Sequence, residues 1–370
     1  MTDVVQPAHG VSATAKRAVT LVDCDVHAQP TPSMLEPYMS ARCRSYVQRY
    51  GRQTPSEMHT YPRARGGGTR LDAWPDKPGH RPGSDPEMLR AQLLDEWGVD
   101  YAVLEVMASL DSYDLPVVAA GVPSAINDWL VDAWLDFDER LRAAIVVAHE
   151  YPGLAVAEIE RRAADRRFVA VFMPSSVQEQ LGSPKYWPIY EVAAAHGLPI
   201  AFHTGGYMRQ YGAGPPSYYL GYHVNISCVM QSQLTSMVCG GMFEAIPDLR
   251  VILTECGVSW AASLRWAIDA AWELMRQDHP HLPRRPSEYI HEHVWFTTQP
   301  IEEPDDPAHL LYAIEEAQLE DRLLFATDYP HWDFDSPAQA LPRVLPKQLR
   351  QAILCGNALD LYGFGEPEAA

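Results

Sequence analysis

Two patterns alternate along the chain. Short, nearly continuous apolar runs recur: VTLVDCDVH (19–27), VDYAVLEV (99–106), LRAAIVVAHE (141–150), FVAVFMPSS (168–176), LPIAFHTGG (198–206), LRVILTECG (249–257), HVWFTTQP (293–300) and RLLFATDYP (322–330). Runs of β-branched residues without polar alternation suit strands buried on both faces, as in a parallel sheet. Helix-like stretches lie between them. The first, DPEMLRAQLLDEWG (85–98), opens on Asp-Pro and stops at Gly, a start and stop pair. PSAINDWLVDAWLDF, GLAVAEIERRAADR, YWPIYEVAAAHG, QLTSMVCGGMFEAI, SWAASLRWAIDAAWELMRQ, DPAHLLYAIEEAQL and SPAQALPRVLP follow, the last broken by an internal proline. Strand then helix, repeated, predicts a (β/α)8 TIM barrel. A doubly wound sheet ranks below it, because the chemistry-bearing residues come from strands spread over the whole length. Residues 1–18 read as a disordered tail and 19–365 as one barrel domain. The Pro-, Gly- and Arg-rich stretch 28–84 reads as an insertion after the first strand, lying over the barrel mouth. A second long connection, 207–227, follows the fifth strand.

Barrel active sites sit at the carboxyl ends of the strands. There the sequence sets Asp25 and His27 on strand 1, His203 on strand 5, Glu255 on strand 6 and Asp328 on strand 8, with His331 and Trp332 in the loop beyond. Period-two alternation puts Asp23, Asp25 and His27 on one side of strand 1 and Val22, Cys24 and Val26 on the other. Asp25 and His27 can then grip one ion, with Asp23 supporting from below. Singly, each residue has a plainer reading: a turn cap, a satisfied core histidine, a carboxylate held by arginine. Together they point to one metal centre, because a single barrel register brings them to one rim.

Charge and composition narrow the field. The net charge of −19 repels nucleic acid and anionic lipid, so neither is expected as a partner. The six cysteines form no CxxC pair and read as reduced thiols of a cytoplasmic protein. The start of the chain lacks the apolar core of a secretion signal, and no apolar run is long enough to cross a bilayer. Lysine occurs only at positions 16, 77, 185 and 347, none on an expected strand, so no carbamylated lysine bridges two metals here.

The stretches DCDVH, AFHTGG, GMFEAIPDLRVILTECGVSW, PSEYIHEHVWFTTQPIEEP, LLFATDYPHWDFDSP and ILCGNALDLYGF resemble, over roughly residues 19–364, the amidohydrolase-related family of the amidohydrolase superfamily. The resemblance is to the branch that includes aminocarboxymuconate-semialdehyde decarboxylase. It implies a distorted TIM barrel, a divalent metal and a small carboxylate-bearing substrate for hydrolysis or decarboxylation. The usual strand 1 HxH stands here as Asp25-x-His27. The family's strand 5 histidine matches His203 and its strand 8 aspartate matches Asp328. Glu255 replaces the strand 6 histidine of the decarboxylases, and His223 falls where this subgroup tends to carry a histidine. The expected metal set is therefore Asp25, His27, His203, His223, Glu255 and Asp328. Asp328 and His331 would handle protons, Trp332 and Gln299 would meet substrate, and arginines of 28–84 would clamp its carboxylate. Carboxylates and imidazoles without thiolate suit Zn, Mn or Fe. Zn accompanies a mononuclear hydrolase or decarboxylase; Mn or Fe accompanies a dinuclear non-haem oxygenase, the alternative on this scaffold. A homodimer is expected by family analogy.

Overall fold

The structure, a computed structural model, describes residues 19–51, 68–107, 115–205 and 217–364. Strands β1 (Val22–His27), β2 (Tyr101–Glu105), β3 (Leu141–Val146), β4 (Phe168–Pro174), β5 (Ile200–His203), β6 (Val251–Thr254), β7 (Val294–Thr297) and β8 (Leu323–Leu324) fall within the eight apolar runs. They pair in sequence order, all parallel. Cys24 N donates to Phe325 O at 2.9 Å, Asp328 N to Asp25 O at 3.1 Å and His27 N to Tyr329 O at 2.7 Å, which brings β8 back onto β1. This is the (β/α)8 barrel the pattern predicts, distorted where β8 keeps only two regular residues.

The strands separate two apolar layers. One face of each strand packs on helices: Ile145, Val171, Met173, Phe202, Leu253 and Phe296 belong to the larger cluster, which includes the helical residues. The alternate residues Ala144, Ala170, Phe172, Ala201, Ile252, Trp295 and Leu324 meet inside the barrel with Val22 and Cys24. Cys355, Ala358 and Leu361 of the C-terminal helical segment join that inner cluster and floor the barrel.

Strand 1 departs from simple alternation. Its register slips between Asp23 and Val26. Val22 and Cys24 therefore lie in the inner cluster while Val26 lies in the outer one. The expectation that these three share a face is corrected: a two-residue period does not survive a bulge, which adds one residue to one strand only. SPAQALPRVLP is the other correction. Residues 336–346 form turns, and the last helix begins at Lys347. Pro337, Pro342 and Pro346 each remove a backbone donor, too often for a helix to propagate.

The stretch after β1 is part helix. Ala41–Tyr50 packs beside Pro116–Leu130, and Gly121 is required there, since a Cβ would lie 2.6 Å from Cys43 Sγ. Residues 68–70 instead lap the loop after β8: Trp332 N donates to Gly68 O, Arg70 N donates to Pro330 O, and Thr69 bridges His331. Residues 52–67 lie outside the described residues. The connection after β5 is helical from Tyr219 to Cys239, so His223 stands on a helix rather than in the long loop expected for 207–227. Tyr, Asn and Gly near the helix start weaken the local signal, and packing of its later turns outweighs them.

Candidate metal centre

Two overlapping sets of ligand-competent atoms lie at the carboxyl ends of the strands. Atoms of Asp25, His27, His203 and Glu255 all fall within 4.8 Å of one another, and so do atoms of His27, Glu255, Asp328 and His331. His27 Nε2 is the pivot, 2.7 Å from Asp328 Oδ1 and 3.3 Å from Asp25 Oδ1. His203 Nε2 lies 3.6 Å from Asp25 Oδ2 and 3.3 Å from Glu255 Oε2. His331 Nδ1 lies 2.6 Å from Asp328 Oδ1.

Both imidazoles contributed by strands are aimed by the backbone. The Nδ1 atoms of His27 and His203 meet the carbonyls of Glu105 (3.1 Å) and Thr204 (2.6 Å), which act only as acceptors. Each Nδ1 therefore donates to its carbonyl and each Nε2 is turned toward the centre, the orientation of histidines that bind a metal. Asp23 ties β1 to the loop that follows β8. Its carboxylate accepts from Thr327 Oγ1 (2.6 Å), Thr327 N (3.0 Å) and Asp25 N (3.3 Å). Burial lifts the Asp23 carboxyl to about 8 against these hydrogen bonds. Glu255 and Asp328 hold φ values of 57° and 59°, a left-handed conformation that costs a non-glycine residue about 1–3 kcal/mol. Strain of that kind persists where the surroundings impose it, and here it aims two carboxylates at one space.

The polar atoms of the centre are under-satisfied. Both oxygens of Asp25, Oδ2 of Asp328, Oε2 of Glu255, Oε2 of Glu105 and Nε2 of His203 are buried without a hydrogen-bond partner. Orphaned acceptors of this kind are costly in a protein interior. A divalent cation is the group that satisfies carboxylate oxygens and imidazole lone pairs together, and these residues fit one. Burial, then the charges of Asp25 and Asp328, pushes the Glu105 carboxyl well above its usual range. Burial, then Asp328 and Asp25, does the same to Glu255. Burial also opposes ionisation of Asp328, but the charge and hydrogen bonds of His331 and His27 win and hold it below the carboxylate range. His331 rises to about 9: burial works against its charge, and Asp328, Asp25 and Asp333 outweigh it.

Glu105 escaped sequence reasoning. The signal was present, since VDYAVLEV ends in an acid just as VILTECG does. His223 joins neither set among the described residues; its Nε2 pairs with Asp333 Oδ2 at 2.9 Å. Trp332 is 47% exposed and donates from Nε1 to Tyr219 Oη at 3.1 Å, walling the mouth beside His223. Gln299 is buried on β7's exit. Its Nε2 donates to Asp333 O at 3.0 Å, and its Oε1 has no partner. Of the insertion's arginines, Arg70 pairs with Asp72 and Arg81 faces the carbonyls of Gln29 and Pro30. Arg52, Arg63 and Arg65 lie outside the described residues. Cys256 sits in the outer layer, away from the centre, whereas Cys24 lies in the inner cluster beneath it.

The fold and this acid-rich centre define a barrel enzyme equipped to bind a divalent metal at its strand ends. A family model described as Amidohydrolase matches residues 22–364, and the chain belongs to that family. A curated relative, the 2-amino-3-carboxymuconate-6-semialdehyde decarboxylase of Dictyostelium discoideum, is 23% identical over 295 residues, covering 75% of this chain and 77% of its own. A dihydroxybenzoic acid decarboxylase from a Polaromonas species, solved with manganese and 2-nitroresorcinol, superposes with a TM-score of 0.68 at 19% identity, covering 95% of this chain and 99% of its own. The 5-carboxyvanillate decarboxylase of Sphingomonas paucimobilis gives 0.66 at 20%, over 94% and 99%. At these identities the two solved structures establish likeness of fold.

Proposed function

We propose that the protein is a divalent-metal-dependent decarboxylase or hydrolase acting on a small carboxylate-bearing molecule. The observation that carries this is the set of buried, partnerless carboxylate oxygens and imidazole nitrogens converging at the strand ends. Asp25, His27, His203 and Glu255 would hold the ion, which supplies Lewis acidity when bound. The pair His331–Asp328 is the proton-handling unit: His331 carries a proton at neutral pH, held against Asp328. Loss of a carboxylate requires a proton at the carbon left behind, and a protonated imidazole beside the centre is suited to give it. Trp332 and Gln299 would meet the body of the substrate. The relatives' names are those of decarboxylases, which favours decarboxylation over hydrolysis. The donor set suits Zn and Mn alike, and the manganese of the Polaromonas structure favours Mn. The reading carries with it a cytoplasmic homodimer, tested by light scattering of the purified chain. The main test is CO2 release from a panel of aromatic and unsaturated carboxylates by metal-loaded protein. Unimpaired turnover by Asp328→Asn would refute the role given to Asp328.

One observation favours a second reading. Asp25 and His203 share one set, Asp328 and His331 the other, with His27 and Glu255 common to both. Three buried carboxylates (Asp25, Glu255 and Asp328) supply these sets, one more than a single divalent ion neutralises. Two ions would suit them, as in a dinuclear Mn/Fe oxygenase. His223 could join such a centre only by leaving Asp333. Elemental analysis separates the readings: one ion per chain, or two of Fe or Mn with oxygen uptake.

A further inference from the structure

The face opposite the metal centre holds a cavity of about 530 Å³ lined by Val19, Thr20, Arg343, Leu345, Lys347, Arg350, Gln351, Leu354 and Cys355. Its lining carries three cations and no acid. The protein carries a net charge of −19, and ten of its described cations pair with acids, among them Lys77 with Asp85 and Glu87, Lys185 with Glu150, Arg140 with Asp95 and Asp138, and Arg161 with Asp128 and Glu158. Three cations converge on this cavity, Arg343, Lys347 and Arg350, and no side-chain hydrogen bond, ion pair or ring contact engages them among the described residues. The Oδ2 of Asp100 accepts from Thr20 N, Thr20 Oγ1 and Leu21 N. Like charges gathered around one concavity repel, and an anion between them reverses the sign of that energy. Guanidinium and ammonium groups together match a multiply charged oxyanion. Leu345, Leu354, Val19 and Cys355 give the cavity an apolar wall that inorganic phosphate alone would not cover.

We propose that this cavity binds a compact polyanion with a short apolar body, a phosphate monoester or a polycarboxylate. The site adjoins the barrel floor. Val19 and Thr20 lead into β1, which carries Asp25 and His27 at its far end, and Cys355 Sγ approaches Val19 O at 3.4 Å. An occupant would tie the start of β1 to the C-terminal segment and raise the thermal midpoint by mass action.

The test is calorimetric titration of the holoenzyme with phenyl phosphate and with citrate, at constant ionic strength set by NaCl. The expected result is saturable binding of one ligand per chain. The double variant Lys347→Ala/Arg350→Ala should weaken it at least about tenfold, as loss of charge-assisted contacts predicts. The charge-matched control Arg166→Ala/Arg276→Ala removes two exposed arginines outside the cavity and should leave it within about twofold. Tighter binding of phenyl phosphate identifies phosphate as the recognised group; tighter binding of citrate identifies a polycarboxylate. The proposal is overturned if neither ligand saturates the wild-type protein by about 10 mM, if the cavity variant binds unchanged, or if the control loses as much. An unchanged cavity variant would place any observed binding outside this cavity. Turnover does not enter the readout, so this test stands apart from that of the proposed chemistry.

Discussion

The two ends of one barrel are built on opposite rules. At the floor, Val22, Ala201, Ile252, Trp295 and Leu361 pack apolar against apolar. At the rim, a few residues further along the same strands, Asp25, Glu105, Glu255 and Asp328 crowd acid against acid, buried and short of partners. Transfer from water rewards the first arrangement and penalises the second. The floor therefore supplies the stability that lets the rim hold an arrangement unfavourable until a cation arrives. That division is a general property of such barrels, whose amino-terminal face serves stability and whose carboxyl-terminal face serves chemistry.

The comparison breaks most visibly at the rim. Substituting His203→Ala or Asp25→Ala should lower turnover about 10³-fold or more, because the ion is lost. Far-UV circular dichroism should stay native, and elemental analysis should show depleted metal; retained metal with full activity would remove these residues from the centre. The converse belongs to the floor. Ile252→Ala or Trp295→Ala should cost about 2–5 kcal/mol in urea unfolding while the folded fraction keeps its metal content. A comparable loss of metal would mean that the two ends are not separable.

A smaller effect sharpens the boundary at His149, just past β3. Burial, with Lys185 adding and Glu150 opposing, brings its imidazole down to about 4 from an ordinary 6.5. The folded protein then holds it neutral while the unfolded chain protonates first. Its contribution is full above pH 6.5 and falls as pH drops toward about 4, by about 2 kcal/mol at pH 5. Urea unfolding at pH 7 and pH 5 should show this slope, and His149→Gln should flatten it; an unchanged slope would place the acid sensitivity elsewhere. The smallest expected effect has the opposite sign. Glu105→Gln removes one of the crowded carboxylates and should stabilise the chelator-stripped protein by about 1 kcal/mol, with weaker metal binding. Destabilisation of the stripped protein would mean that Glu105 has a favourable partner.

Much of this was legible from periodicity. Continuous apolar runs can lie only between two covered faces, so all eight strands and the rim positions of Asp25, His203, Glu255 and Asp328 followed from the primary order. The bulge in β1 did not, because register depends on the neighbouring strand and not on the strand's own sequence. The helix carrying His223 was obscured by the Gly- and Tyr-containing segment at its start.

By itself, then, the sequence determined which side chains reach the rim, since strand length and apolar continuity are local properties. Only the tertiary structure decided which of them meet. It turned His27 and His203 through carbonyls of other residues, set Glu255 and Asp328 in left-handed backbone, brought in Glu105 from β2 and gave His223 to Asp333. The contacts of His27 with Glu105 and of His223 with Asp333 join segments far apart in the chain, and the space they surround, with its electrostatics, does not exist until the barrel closes.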